Sequence, residues 1–370
     1  MLITISSLWG IVLGAALNIL QFPIKALKNG VGLWFLVIIH AILLLGQFAL
    51  HLWFYRMPDG IPKRILHNID TLYFTFIIFT CTFYIITLAV RLVICAITRA
   101  PILTAVEGKW WILIPVVLVS ICISLFGTLR IQNAVRTDFP VKSELTHQGK
   151  SIRIALVADL HLGGGAGEHL LTNMVDIIND AEADLVLIAG DLTDSTTSYE
   201  DMQNFCGKLQ EISPQLGVVF TPGNHEKDAH YDIEPMLLES GVQILHNTAL
   251  TLENGVIVAG QLYKNEKDID AVLEDSGIER GDQPVIVMRH LPSGIAEELD
   301  GRCDLVVSGH THGYRYPMID IFHKYYYDPL YGFRRFDKGT AAVTTSGLSC
   351  WGYQFKLQSP NEVAIIDFEY

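Results

Sequence analysis

Residues 152–161 read IRIALVADLH and residues 184–191 read DLVLIAGD. In each, an apolar run of strand length stops at a polar cluster that holds a carboxylate, Asp159 or Asp191. A short continuous apolar run bounded in this way reads as a buried strand. The pattern repeats downstream. Leu216 to Thr221 runs into Pro222-Gly223-Asn224-His225-Glu226, Val285 to Met288 leads to His290, and Leu305 to Ser308 leads to Gly309-His310-Thr311-His312. Gly167 to Asp180, Tyr199 to Ile212 and Lys267 to Asp275 read as helices between them. Leu245 to Leu252, Val256 to Ala259, Ala341 to Thr345 and Glu362 to Phe368 supply further strands. This alternation predicts a layered α/β domain over residues 151–370. In open α/β sheets ligands gather at the carboxyl ends of strands, which is where the five polar clusters fall.

Carboxylate oxygen, amide oxygen and imidazole nitrogen are donors that first-row divalent cations accept. Asp159, His161, Asp191, Asn224, His290, His310 and His312 are therefore candidate metal ligands, with His225 and Glu226 beside them as candidate catalytic groups. One Asp-x-His or Gly-Asp would be ordinary loop chemistry; five clusters in one order are not. His169, His230, His246 and His323 belong to no cluster and read as surface or turn residues, and His67 and His147 as loop residues. Gly163-Gly164-Gly165 lacks the Lys-Ser/Thr that a phosphate-binding P-loop requires and reads as a tight turn.

The front of the chain is different in kind. Hydrophobic side chains make up 50% of the 370 residues and the mean hydropathy is +0.34, too apolar for an ordinary water-soluble enzyme. Residues 1–24, 31–55, 71–90 and 110–129 are apolar runs without Asp or Glu. Each is close to the roughly 20 residues that cross a bilayer core. They predict a transmembrane region of four helices over residues 1–129, followed by a polar linker over 130–150. His40 and Gln47, within the second run, read as polar groups hydrogen-bonded inside a helical bundle. Arg56, Lys63, Arg64, Arg130 and Arg136 would flank one membrane face and Lys25, Lys28, Arg91, Arg99 and Lys109 the other. That even division leaves the orientation undecided by charge.

Charge also separates the two parts. Residues 1–138 carry ten Lys or Arg and four Asp or Glu, a net of +6; the remaining 16 and 35 give −19 for residues 139–370. So acidic a domain is a poor match for a nucleic-acid backbone, which is bound by neutralising phosphates. Bound cations would reverse the potential locally, so a small or lipid-linked phosphate is the expected substrate. Cys81, Cys95 and Cys122 lie in or beside apolar runs, and Cys206, Cys303 and Cys350 lack CxxC spacing. They imply neither a disulfide framework nor a zinc knuckle.

With D-x-H, G-D, G-N-H-E, H and G-H-x-H in this order, residues 151–370 resemble the calcineurin-like metallophosphoesterase superfamily. Ser346-Gly347-Leu348-Ser349-Cys350-Trp351-Gly352 and Ser359-Pro360-Asn361-Glu362 are similar to its membrane-associated branch, the transmembrane metallophosphoesterases. The resemblance implies a four-layer α/β/β/α domain behind the membrane region, with two divalent ions drawn from Mn²⁺, Fe²⁺/Fe³⁺ or Zn²⁺. One ion would be held by Asp159, His161, Asp191 and His312, the other by Asp191, Asn224, His290 and His310, with Asp191 as the bridge. His225 would act as general acid towards the leaving group, and Glu226 would fix its tautomer. A water shared by the two ions would be acidified for attack on phosphorus.

The activity so implied is hydrolysis of a phosphodiester, pyrophosphate or phosphomonoester at the membrane. The branch includes relatives of pyrophosphatases that cut UDP-2,3-diacylglucosamine. Its members are often exposed outside the cytoplasm while the lipid-A-type enzymes work on the inner face, so the resemblance leaves the face open, with an extracytoplasmic domain the favoured reading. One departure concerns the pocket wall. The branch continues G-H-T-H with Gly-Gly-Gln, whereas Gly313 is followed here by Tyr314 and Arg315. The run Phe322 to Phe336 (FHKYYYDPLYGFRRF) reads as a lid, a membrane-facing edge or a β-hairpin, and Arg289 takes no assigned role. The competing reading is a noncatalytic metal-binding or interaction module on a membrane sensor. Retention of all seven ligands and His225 favours the enzyme.

Overall fold

The computed structural model describes residues 61–101 and 110–370. The expected spans at 1–24 and 31–55, with His40 and Gln47, lie outside the described residues. The chain divides into two compact units, Met1–Leu129 and Arg130–Tyr370.

Two helices are described before the second unit, α1 (Ile61–Thr98) and α2 (Trp110–Arg130). Within α1, Ile65–Thr98 is long and apolar enough to cross a membrane by length and composition, the one such helix among the described residues. Its 34 residues span roughly 50 Å, more than the roughly 30 Å of a bilayer core. Ile85, Ile86, Val90, Val93 and Ile94 are exposed along it. Hydroxyls in these helices return to their own backbone: Thr75 donates to the Thr71 carbonyl at 2.9 Å and Ser120 to that of Val116 at 2.8 Å. The expected span 71–90 lies inside α1, which extends past it at both ends and takes in the expected loop residue His67 and the expected flanking residue Arg91, as well as Asp70. His67 and Asp70 are buried. The apolar stretch of α2, Ile114–Arg130, is shorter.

The second unit is built on two six-stranded sheets. The first runs in the order β1 (Ala134–Lys142), β12 (Asn361–Glu369), β2 (Ser151–Val157), β3 (Leu185–Ala189), β4 (Val218–Thr221), β5 (Val242–Ile244). The second runs β10 (Gly332–Arg335), β11 (Ala341–Thr344), β9 (Leu305–Ser308), β8 (Val285–Arg289), β7 (Ile257–Gln261), β6 (Thr248–Thr251). Both are mixed. In the first, β2 to β5 are parallel and β12 is antiparallel to β2; in the second, β7, β8, β9 and β11 are parallel between antiparallel edges.

Because successive strand side chains point to opposite faces, each central strand feeds two cores. Ile154 and Leu156 of β2, with Leu185 and Leu187 of β3, meet Val258, Ile286, Met288, Leu305 and Val307 of the other sheet in a buried layer between the two. Ala155, Val157, Val186 and Ile188 face the other way, onto α3 (Glu168–Asp180) and α4 (Tyr199–Leu209). The apolar residues Leu170, Leu171, Met174, Val175 and Ile178 of α3 recur at helical spacing and form its buried face. Ser198 starts α4 through a capping box with Asp201. On the outer face of the second sheet, Val285, Val287 and Val306 pack with Ile269, Val272 and Leu273 of α6 (Ile269–Asp275). The short helices α5 (Glu234–Glu239), α7 (Ile295–Glu298) and α8 (Pro317–His323) complete the unit. The layers run helix, sheet, sheet, helix.

Two segments depart from expectation. Residues 130–150 are not simply a connector, because they contain β1, which pairs in parallel with β12 from Ala134–Asn361 to Lys142–Glu369. As an edge strand it is largely exposed and accommodates Pro140, so it lacks the apolar signature of the central strands. The run Phe322 to Phe336 is divided between the end of α8 and the edge strand β10, which pairs antiparallel with β11.

Candidate metal centre

All the candidate ligands lie just beyond strand ends. Asp159 and His161 follow β2, Asp191 follows β3 and Asn224 follows β4; His290 follows β8, and His310 and His312 follow β9. Here the chain bends sharply. Nine described non-glycine residues have positive φ, and five of them are candidate ligands: Asp159 (54°), His161 (46°), Asp191 (53°), His310 (70°) and His312 (55°). That region disfavours L-residues, and its concentration at one site marks backbone held in place by its surroundings. Glycines permit the crowding. A Cβ on Gly190 (φ 82°) would stand 2.6 Å from His290 Nδ1, and one on Gly309 would stand 2.6 Å from Asp159 Oδ2.

The turns bring the side chains into two sets. Ligand atoms of Asp159, His161 and His312 lie within 4.8 Å of one another, and so do those of Asp191, His290 and His310. Asp191 faces both. Its Oδ2 is 3.1 Å from His290 Nε2 and 3.9 Å from His161 Nε2, while its Oδ1 accepts from the amides of Asn224 and His225 at 2.8 Å each. His310 Nδ1 lies 3.3 Å from His290 Nε2. His290 Nδ1 is 2.7 Å from the Ala189 carbonyl. With the ring proton donated there, Nε2 is left to point into the centre, the usual support for a metal-binding histidine.

The donor set fits a pair of cations. His161 Nε2, His312 Nδ1 and Asn224 Oδ1 are buried without a hydrogen-bond partner. Buried polar atoms without partners are costly, and an ion between them would satisfy several at once. Within the cluster the charges of Asp191 and His290 support each other. Burial pushes the Asp159 carboxyl up. Burial opposes charge on Asp191 too, but His290 beside it holds that carboxyl below the ordinary range. Burial likewise disfavours charge on His290, yet Asp191 carries it up to about 10, so a cation taken up there would displace a proton from Nε2. Burial lowers His310 to about 3 and His312 well below the ordinary value, so both rings are neutral and able to ligate.

The candidate acid His225 stands beside this cluster, its ring 5.2 Å from that of His161. Glu226 does not orient it. The Glu226 carboxylate instead accepts from the backbone amides of Leu192 (2.6 Å) and Gly223 (2.7 Å), tying the β3 and β4 turns together, and burial and Asp191 raise it to about 7. The group against His225 Nδ1 is Asp228 Oδ2, at 2.9 Å, across the one-turn 3-10 helix Glu226–Asp228. Trp351 stacks on the other side of the ring, centroids 5.0 Å apart and planes at 25°.

Asp194, 3.3 Å from His161 Nδ1, and Tyr263 and Tyr327, each with its ring 5.7 Å from that of His310, also reach the site without having been expected there. Asp194 and Asp228 each sit three residues after a cluster residue, a spacing that could have drawn attention to them; the tyrosines carry no comparable signal. His169, His230, His246 and His323 belong to neither ligand set. Arg289 is buried in an ion pair with Glu298 at 2.6 Å.

The strand ends of two facing mixed sheets thus converge on two sets of Asp and His side chains that could each hold a metal ion. Residues 152–314 match the family model of calcineurin-like phosphoesterases. It is 28% identical over 256 residues to the zebrafish (Danio rerio) protein "Transmembrane protein with metallophosphoesterase domain", covering 63% of this chain and 56% of that one. It is 29% identical over 228 residues to a Helicobacter pylori metallophosphoesterase, covering 59% and 60%. The chain thus spans less than two thirds of the length of these relatives. Among solved structures, a dimetal phosphatase from Danio rerio aligns with a TM-score of 0.35 at 12% identity, over 52% of this chain and 86% of that one.

Proposed function

We propose that the chain is a membrane-bound, dinuclear-metal-dependent phosphohydrolase that cleaves a phosphodiester, pyrophosphate or phosphomonoester, with a lipid-linked substrate. The observation that carries this reading is the pair of buried ligand sets sharing Asp191. Asp159, His161, Asp191 and His312 would hold one cation, and Asp191, Asn224, His290 and His310 the other. Bound there, two cations would acidify water and stabilise negative charge on the phosphoryl oxygens.

The chain's own groups do the rest. Asp191 Oδ1 is fixed by two amides, which keeps Oδ2 aimed between the ligand sets. His225, with both ring nitrogens protonated, gives its Nε2 proton to the leaving oxygen, and Asp228, accepting from Nδ1–H, orients the ring and holds the neutral Nδ1–H form that remains. Trp351 blocks rotation of the imidazole and excludes water from one face. The apolar helix Ile65–Thr98 supports membrane attachment, and with it an amphiphilic substrate such as a UDP-2,3-diacylglucosamine-like pyrophosphate. The domain organisation we propose is a transmembrane region over 1–129 and a catalytic domain outside the cytoplasm; protease accessibility of that domain in intact cells checks the face.

Product release from bis(p-nitrophenyl) phosphate and from a panel of lipid pyrophosphates is expected to require Mn²⁺ or a similar ion and to stop with EDTA. His225→Ala should slow turnover by about 10² to 10⁴. Activity indifferent to chelator, or unchanged by that substitution, would sink the reading.

A further inference from the structure

Resting on the phosphoesterase reading, we infer that residues 321–327 form an apolar arm that receives the hydrocarbon part of an amphiphilic phosphate ester whose phosphate lies at the metal centre. Ile321, Phe322, Tyr325 and Tyr326 are 60%, 65%, 81% and 73% exposed. Among the described residues from 130 onward, these four are half of all the large hydrophobic side chains that are exposed. Single exposed apolar residues are normal, but four within six positions make a patch that asks for a partner.

The patch is continuous with the site. Tyr327, the next residue, sets its ring edge-on to His310 at 5.7 Å. The segment is pinned at both ends. Tyr316, which stacks on Phe355 at 5.1 Å, accepts from the Asp320 amide at 2.9 Å, and the Asp328 amide donates to the Pro292 carbonyl at 3.2 Å, two residues past His290. A molecule lying along the arm is therefore led past Tyr327 to the second ligand set.

Chemistry selects the occupant. Aromatic rings interleaved with a basic residue are the composition that gathers at lipid–water boundaries. Lys324 lies within this run, its ammonium 5.1 Å from the Tyr314 ring centre. A surface of this kind, ending at a centre suited to phosphate, fits a molecule with an anionic head and an alkyl tail better than it fits a second protein.

The test compares p-nitrophenyl hexadecyl phosphate with p-nitrophenyl methyl phosphate, which share a leaving group and differ in the tail. The full chain would be held in one detergent with Mn²⁺, and the hexadecyl-to-methyl ratio of kcat/KM measured. In Phe322→Ser/Tyr325→Ser/Tyr326→Ser the ratio should fall about tenfold, the effect of about two buried methylenes, through a higher KM for the long ester. The variant with leucine at the same three positions should keep it. An unchanged ratio in the serine variant, or an equal loss in the leucine variant, overturns the inference. If the wild-type chain cleaves neither ester, the phosphoesterase reading has failed by itself. Direct binding of hexadecyl phosphate against methyl phosphate then decides the arm: weaker tail-dependent binding in the serine variant supports it, and equal binding refutes it.

Discussion

In the sheet that holds β2, β3 and β4, the strand ends present Asp159, Asp191 and Asn224, whereas β8 and β9 of the facing sheet end in His290, His310 and His312. One sheet supplies the oxygen donors together with His161, and the other supplies only imidazoles. Neither holds a complete set for two cations. The sheets are joined in two ways that differ in kind. Along their length a dry layer of Ile, Leu, Val and Met side chains binds them without direction. At one end, directed polar contacts do so: the His310 amide donates to Asp159 Oδ2 at 2.9 Å, and His290 approaches Asp191 at 3.1 Å. The first junction stabilises the unit, and the second sets the spacing of the ligands.

The sharpest way to break this division is Asp191→Asn. It leaves the apolar layer intact and should lower turnover by more than about 100-fold while abolishing the rise in Tm that added Mn²⁺ is expected to give the parent protein. Retention of that thermal shift with near-normal turnover would show that Asp191 is not shared. Leu187→Ala tests the other junction. Leu187 is fully buried between the sheets, so its truncation should cost about 2–5 kcal/mol by chemical denaturation. The Mn²⁺-dependent shift should survive, and its disappearance would mean that core and centre are not separable.

The smallest effect falls at α8. Burial raises the Asp320 carboxyl from 3.8 to about 7. A carboxyl raised in the fold contributes its stability below the unfolded pKa and loses it as pH climbs through the folded one. Stability should therefore decline from about pH 4 to about pH 7, and Asp320→Asn should make that decline shallower. Parallel stability–pH curves for the two proteins would rule this out.

Much of the unit was legible because its central strands are buried on both faces. Ile152 to Ala158 and Asp184 to Ala189 read as uninterrupted apolar runs, and each ended on a ligand. What escaped was governed by contacts distant in sequence or by exposure. β1 is an edge strand with Pro140 inside it and looks like a connector. Glu226 follows His225 directly, yet the approach of the Gly190-Asp191 turn claims its carboxylate, and Asp228 takes the place beside the imidazole. Trp351 arrives at His225 from more than a hundred residues away, which no local pattern announces. In the first unit, hydropathy located the apolar runs, but α1 ignores the polar residues that seemed to mark its ends.

The five bent candidate ligands are held by their backbone before any cation could bind. Their main chain is already turned inward, beside glycines at which a Cβ would stand under 3 Å from the candidate ligands. Stripping the ions and restoring them should thus be a local exchange, with side chains shifting over a scaffold that keeps its shape.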